Sequence, residues 1–206
     1  MQKKQKKQKK ANVVVFDFDG TLSAYDANYQ FARYCLRHSL RTWLFLPMIA
    51  LGGVGRFLNH PGLWWRQTMR RFLTEKMVKK YAPDFIKQHK LNRFGWAAER
   101  VAAERTAGNM VILISASPNY LLQPLVRDIK FDAVMCSEMY ADKPWKYKFL
   151  CWGKNKVVAF DNWAKNNKIN PVVVRSYSDS KSDMPIMKIA NEQVWINRHT
   201  GGRIEK

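Results

Sequence analysis

Cysteine and histidine are scarce in this chain of 206 residues: three cysteines, with no C-x-x-C pair, and four scattered histidines. That excludes a zinc ribbon or finger and a disulfide framework, and it fits a reducing compartment. Acidic residues are also few, 16 against 36 lysines and arginines, for a formal net charge of +20. Six of the lysines sit in the first ten residues, which leaves +14 on the rest. A body this basic favours an anionic partner, whether a phosphorylated substrate, an anionic membrane or nucleic acid. No apolar run is long enough for a bilayer-spanning helix, and the run after the lysine tail, "VVVF", is too short for a signal peptide, so no export is expected. There is no internal repeat.

At 47% hydrophobic, the chain has enough apolar residues for one domain with a real core. Apolar runs at 12–17, 110–115, 131–135, 171–177 and 193–197 are continuous rather than alternating, as in strands buried on both faces. Helical patterns at 118–130, at 156–168 and from about 182 separate the later runs. The order predicts an α/β fold with a Rossmann-like, doubly wound parallel sheet, whose sites collect beyond the carboxyl ends of the strands. The motifs "DFDGT", "SASP" and "SDSKSD" all fall there. Three divisions follow: a disordered polybasic tail over 1–10, a core over 11–22 and 110–206, and a helical insert over 23–109. In the insert, helices are expected over 26–40, 62–81 and 94–108, the last closing on Gly108.

In an extended segment, Asp17 and Asp19 of "VVVFDFDGTL" face the same way, with Gly20 and Thr21 turning the chain. Two carboxylates so close are tolerable with a divalent cation between them or a proton on one. Both conditions suit phosphoryl transfer, with one carboxylate as nucleophile and the other as acid. Alone, D-x-D also reads as a turn or an ordinary metal site.

Four motifs in order resemble the haloacid dehalogenase (HAD) superfamily of phosphatases, in its phosphoserine-phosphatase-like branch. They are "DFDGT", "SASP" with Ser115, "CWGKNKV" with Lys156, and "YSDSKSDMP" with Asp179 and Asp183. Lys154 competes with Lys156, and Ser178 stands where the family usually has glycine. The resemblance implies Mg²⁺ held by Asp17, the backbone carbonyl of Asp19, and Asp179, with Asp183 as ligand or water-mediated support. It further implies an aspartyl phosphate on Asp17, acid and base work by Asp19, and a phosphate clamp of Ser115, Ala116 and Lys156.

The insert sits where this superfamily places its substrate-selecting cap. Residues 43–55, "WLFLPMIALGGVG", are uncharged and bracketed by Arg41 and Arg56. As one helix they would span about 20 Å, short of the hydrocarbon core. They read either as a membrane-interface or re-entrant segment or as a buried cap helix. Trp43, Trp64 and Trp65 among arginines match headgroup-level composition, and each basic residue near an anionic surface adds about 1 kcal/mol. The apolar stretch with "CWGKNK" and "YSDSKSDMPIM" is similar to the phosphatidylglycerophosphatase C family, which implies an anionic phospholipid substrate at the cytoplasmic face of the inner membrane, with Arg37 and Arg41 on a second phosphate. Two rivals stay open: a soluble phosphatase for a small metabolite such as phosphoserine or histidinol phosphate, in which Asp26 would pair with an ammonium, and a nucleic-acid-binding protein. The second is disfavoured because the basic residues are not interleaved with aromatics in a recognised module.

Overall fold

A computed structural model describes residues 9–39, 43, 47 and 73–204. Their centre is a sheet of seven strands among the described residues, in the order β4-β3-β2-β1-β5-β6-β7. The strands are β1 (Lys9–Phe16), β2 (Met110–Pro118), β3 (Ala133–Met139), β4 (Tyr147–Phe149), β5 (Ile169–Ser178), β6 (Glu192–Ile196) and β7 (Arg203–Ile204). The inner five run parallel, and β4 and β7 pair antiparallel at the two edges. This is the Rossmann-like arrangement expected from the continuous apolar runs.

Alternation along β1 shows why those runs are continuous. Val14 and Phe16 enter one buried cluster, Val13 and Val15 the other, and all four are at most 2% exposed. A strand covered on both faces has no polar side to display. One face is covered by α1 (Ala27–His38), α2 (Glu75–His89), α3 (Trp96–Thr106) and α4 (Asn119–Leu125), the other by α5 (Lys154–Asn166) and the short α6 (Met184–Met187).

Three boundaries differ from the sequence reading. Lys9 and Lys10, placed in the disordered tail, belong to β1 and lie beside Ile169 and Asn170 of β5. Of the helix expected over 62–81, residues 62–72 lie outside the described residues; the described part is broken at Leu73 and Thr74, and a helix opens at Glu75, where the Thr74 hydroxyl accepts a hydrogen bond from the Met77 N–H. Helix α3, assigned to the insert, lies on the sheet: Ala97 and Val101 join the sheet's cluster, and Glu104 pairs with Arg175 of β5. It therefore serves as the crossover helix into β2. Apart from Trp43 and Pro47, the stretch 43–55 lies outside the described residues, as do Arg41, Trp64 and Trp65. Among the described residues no helix is long and apolar enough to cross a membrane.

Candidate active site

Strands β1, β2 and β5 sit side by side, and their carboxyl ends deliver three of the four motifs to one cleft. Asp17, Asp19, Ala116, Lys156, Asp179 and Asp183 all line it, together with Asp26, Trp152 and Arg198. The cleft holds 60 Å³, room for about four water-sized groups, the scale of one phosphoryl group.

Beyond β1, Asp17 and Asp19 reach the cleft while Phe18 between them is fully buried in the core. Gly20 makes the turn with a φ of +80°, and a Cβ there would overlap the Asp179 carboxylate. Both facts require glycine. Thr21, also buried, holds Asp179 from the other side, its hydroxyl accepting the Asp179 N–H at 3.0 Å and donating to Oδ1 at 3.4 Å.

Lys156, not Lys154, enters the site. Gly153, at a φ of +57°, opens α5; Lys154 in the first turn is exposed, whereas Lys156 is 2% exposed. Its Nζ donates to Asp17 Oδ1 at 2.7 Å and to Asp183 Oδ2 at 2.8 Å. Burial by itself would lower the lysine pKa, but the two carboxylates raise it above the ordinary range, so the cation is permanent. Burial, reinforced by the like charges of Asp183 and Asp19, holds the Asp17 carboxyl well above its usual range against the pull of Lys156.

Asp19 is fixed at both oxygens. Oδ1 accepts the Ala27 N–H at the start of α1 at 2.7 Å, and Oδ2 accepts the Ser117 hydroxyl at 2.6 Å and that of Ser115 at 3.4 Å. Ser115 is fully buried and faces Asp19, and its neighbour Ala116 is the one that lines the cleft. Asp26, considered for an ammonium partner, is the N-cap of α1, its carboxylate accepting the Tyr29 N–H.

Two contributors escaped the sequence reading. Ser178, noted only as a departure from glycine, donates to Asp183 Oδ2 at 2.7 Å and accepts the Ser180 N–H, so it aims the carboxylate that faces Lys156. Arg198, just past β6, pairs with Asp179 at 3.0 Å from a half-exposed position. Its one signal in the sequence is a cation directly after a strand, at the sheet end where the carboxylates collect. All three cysteines are buried with pKa values pushed up to about 11 or 12 by burial, so none is a nucleophile.

The donors around the cleft are oxygens, the set a hard cation takes. Among the described residues no three carboxylate, histidine or cysteine groups form a ready-made cage, since Lys156 bridges Asp17 and Asp183 while Arg198 holds Asp179. A Mg²⁺ ion needs only one or two carboxylates and keeps several waters. Asp17 and Asp179 suit it, because burial holds both above the ordinary carboxylate range and a nearby cation offsets that cost.

The comparisons agree with this geometry. A stretch of 116 residues, 54% of this chain, is 28% identical to a probable phosphatase of Mycobacterium tuberculosis (strain ATCC 25618 / H37Rv), of which it spans 40%. A Bordetella pertussis Tohama I protein of unknown function superposes with a TM-score of 0.72 at 15% identity, covering 91% of each chain. A phosphoserine phosphatase captured as a phospho-aspartyl intermediate analogue gives 0.65 at 18% identity, over 91% of this chain and 87% of that one. These likenesses establish the fold. The haloacid dehalogenase-like hydrolase family model matches residues 14–188, from within β1 to beyond Asp183, and the chain belongs to that family.

Proposed function

We propose that the chain is a Mg²⁺-dependent phosphomonoesterase working through an aspartyl phosphate on Asp17. The observation that carries the reading is the buried Lys156 ammonium at 2.7 Å from Asp17, with Asp19 two residues on in the same cleft. An Asp17 oxygen attacks phosphorus, the bond to the leaving oxygen breaks, and Asp19 gives that oxygen its proton. Asp19 then removes a proton from water as the water attacks phosphorus, which frees Asp17 and releases inorganic phosphate. Lys156 and the end of β2 at Ser115–Ala116 hold the transferring oxygens, and fixed positive charge such as that of Lys156 supplies most of the rate in phosphoryl transfer. A Mg²⁺ ion would be held by Asp17, the Asp19 carbonyl and Asp179, and would neutralise phosphate charge there.

For the substrate we propose phosphatidylglycerophosphate, met at the cytoplasmic face of the inner membrane by peripheral or re-entrant docking. What supports this is the uncharged run 43–55 between Arg41 and Arg56, the net charge of +20, and the likeness of "YSDSKSDMPIM" to phosphatidylglycerophosphatase C. The test is phosphate release from that lipid in mixed micelles with Mg²⁺, beside phosphoserine and other soluble phosphomonoesters, with Asp17→Asn as control. The reading expects preference for the lipid and no release by the variant. Equal turnover of phosphoserine would replace the lipid assignment with the soluble one, and release by Asp17→Asn would overturn the mechanism.

A further inference from the structure

On the face of the sheet that α3 covers, helix and strands leave a second cleft, and its lining follows the period of each element. Trp96 and Arg100 stand four residues apart on α3. On the sheet, Arg175 and Tyr177 stand two apart on β5, and Val194 and Ile196 two apart on β6. Each pair faces one way, so the strands form the floor and α3 a wall. The cleft holds 330 Å³ against 60 Å³ for the catalytic one, within the roughly 300–1,000 Å³ of small-molecule sites. No described residue lines both clefts.

Arginines and carboxylates at a sheet edge ordinarily do no more than fasten the edge strands, and Arg175, Glu192 and Arg203 do that here. Glu192 of β6 accepts from Arg175 at 2.7 Å through one carboxylate oxygen and pairs with Arg203 of β7 at 3.0 Å through the other. Glu104, one turn beyond Arg100 on α3, accepts from Arg175 and from the Tyr177 hydroxyl. Both carboxylates are thereby committed. Arg100 is left over: it lines the cleft, it is exposed, and it has no ion pair or hydrogen bond among the described residues. Three arginines against two glutamates leave one positive charge at the cleft. The surface beside that charge is apolar. Trp96 is half-buried with Phe94 stacked on it at 6.2 Å, and Tyr177, Val194 and Ile196 are buried.

We propose that this cleft binds a small aromatic carboxylate, a monoanion of one or two rings, with its carboxylate on Arg100 and its ring against Trp96. Arginine's planar fork matches a carboxylate at both oxygens. One carboxylate balances the one uncompensated charge, whereas a phosphomonoester, at nearly two negative charges, overshoots it. The ring takes the apolar floor out of water and finds an indole to stack on. The inference uses none of the catalytic residues and stands or falls apart from the phosphatase reading.

Calorimetric titration of the full chain with indole-3-acetate, phenylacetate and benzoate tests it. Indole-3-ethanol has a ring without the charge, and acetate has the charge without a ring. The site predicts saturable, one-to-one binding of at least one of the three aromatic acids, and binding of each control about tenfold weaker or more. Arg100→Gln lowers the affinity for that acid about tenfold and leaves indole-3-ethanol unchanged, while Arg100→Lys restores part of the loss. Because Arg100 has no partner to strand, the unfolding midpoint of Arg100→Gln stays at the wild-type value, which separates loss of the ligand from loss of the fold. Asp17→Asn binds the acid as the wild type does, and inorganic phosphate with Mg²⁺ does not displace it. No saturable binding by any of the three acids, equal affinity for indole-3-ethanol, or an affinity untouched by Arg100→Gln overturns the site. Displacement by phosphate, or loss of binding in Asp17→Asn, overturns it as well, by placing the acid in the catalytic cleft.

Discussion

Lys156 is held among Asp17, Asp183 and the start of α5 with almost no exposure, so its charge is compensated entirely by protein. Removing one partner of a buried pair leaves the remaining charges stranded. Lys156→Met is therefore expected to cost about 3 kcal/mol or more of stability in urea unfolding, and adding Asp183→Asn should return part of the loss because the two sites share one network. A stability change below 1 kcal/mol would mean that the site tolerates the two facing acids, Asp17 and Asp183, without the lysine. Of the chemistry at this scale, the sequence shows the residue types and their order. It left Lys154 and Lys156 as competitors, because only the turn at Gly153 decides which lysine points inward. Ser178 and Arg198 were not legible for a related reason: each acts on a carboxylate distant or unpredictable in orientation, and a contact of that kind exists only once β5, β6 and the loops beyond them are placed.

Elements were easier to read where both faces are buried and harder where one face is wet. Strands β1, β2 and β5 announce themselves as apolar runs, and the structure extends β2 past Ser115 to Pro118 and starts β1 at Lys9. The break at Leu73 and Thr74 is not legible because apolar residues recur at helical spacing through it, so periodicity carries no mark of the boundary. The cap at Thr74 does not show as a full capping box either, since Met77 occupies the position where Glu or Gln would reach back. Thr74→Ala should lower stability by about 1 kcal/mol, read by thermal or chemical unfolding; an unchanged midpoint would mean that the helix start is set by packing alone. The α1 N-terminus has a second duty, because its first N–H orients Asp19. The insert is thereby tied to the catalytic carboxylate by a hydrogen bond as well as by packing.

On the scale of the molecule, the sheet carries the site at the carboxyl ends of its strands, α1 begins beside it at Asp26, and His89 is buried at the end of α2. Its ring lies 3.4 Å from the Ser23 hydroxyl and stacks on Phe85, and burial lowers its pKa to about 4, partly opposed by Asp26. A histidine with a depressed folded pKa stabilises the fold fully above its unfolded value near 6.5 and loses that contribution as the pH falls toward 4. Across that window the wild-type chain should lose on the order of 3 kcal/mol from this group. In His89→Gln the slope of stability against pH between 6.5 and 4 should flatten, and an unchanged slope would place the acid sensitivity elsewhere. The net charge of +20 is a whole-molecule property of a different kind: it concerns which surfaces the chain meets, and salt weakens it.

The account turns on covalent chemistry at Asp17, and that is best tested by quenching the wild-type chain in acid during turnover of a phosphomonoester with Mg²⁺ and locating the phosphoryl group by mass spectrometry. The account predicts one phosphoryl group on Asp17, absent from Asp17→Asn. Steady turnover with the label on any other residue, or undiminished turnover by Asp17→Asn, would contradict it.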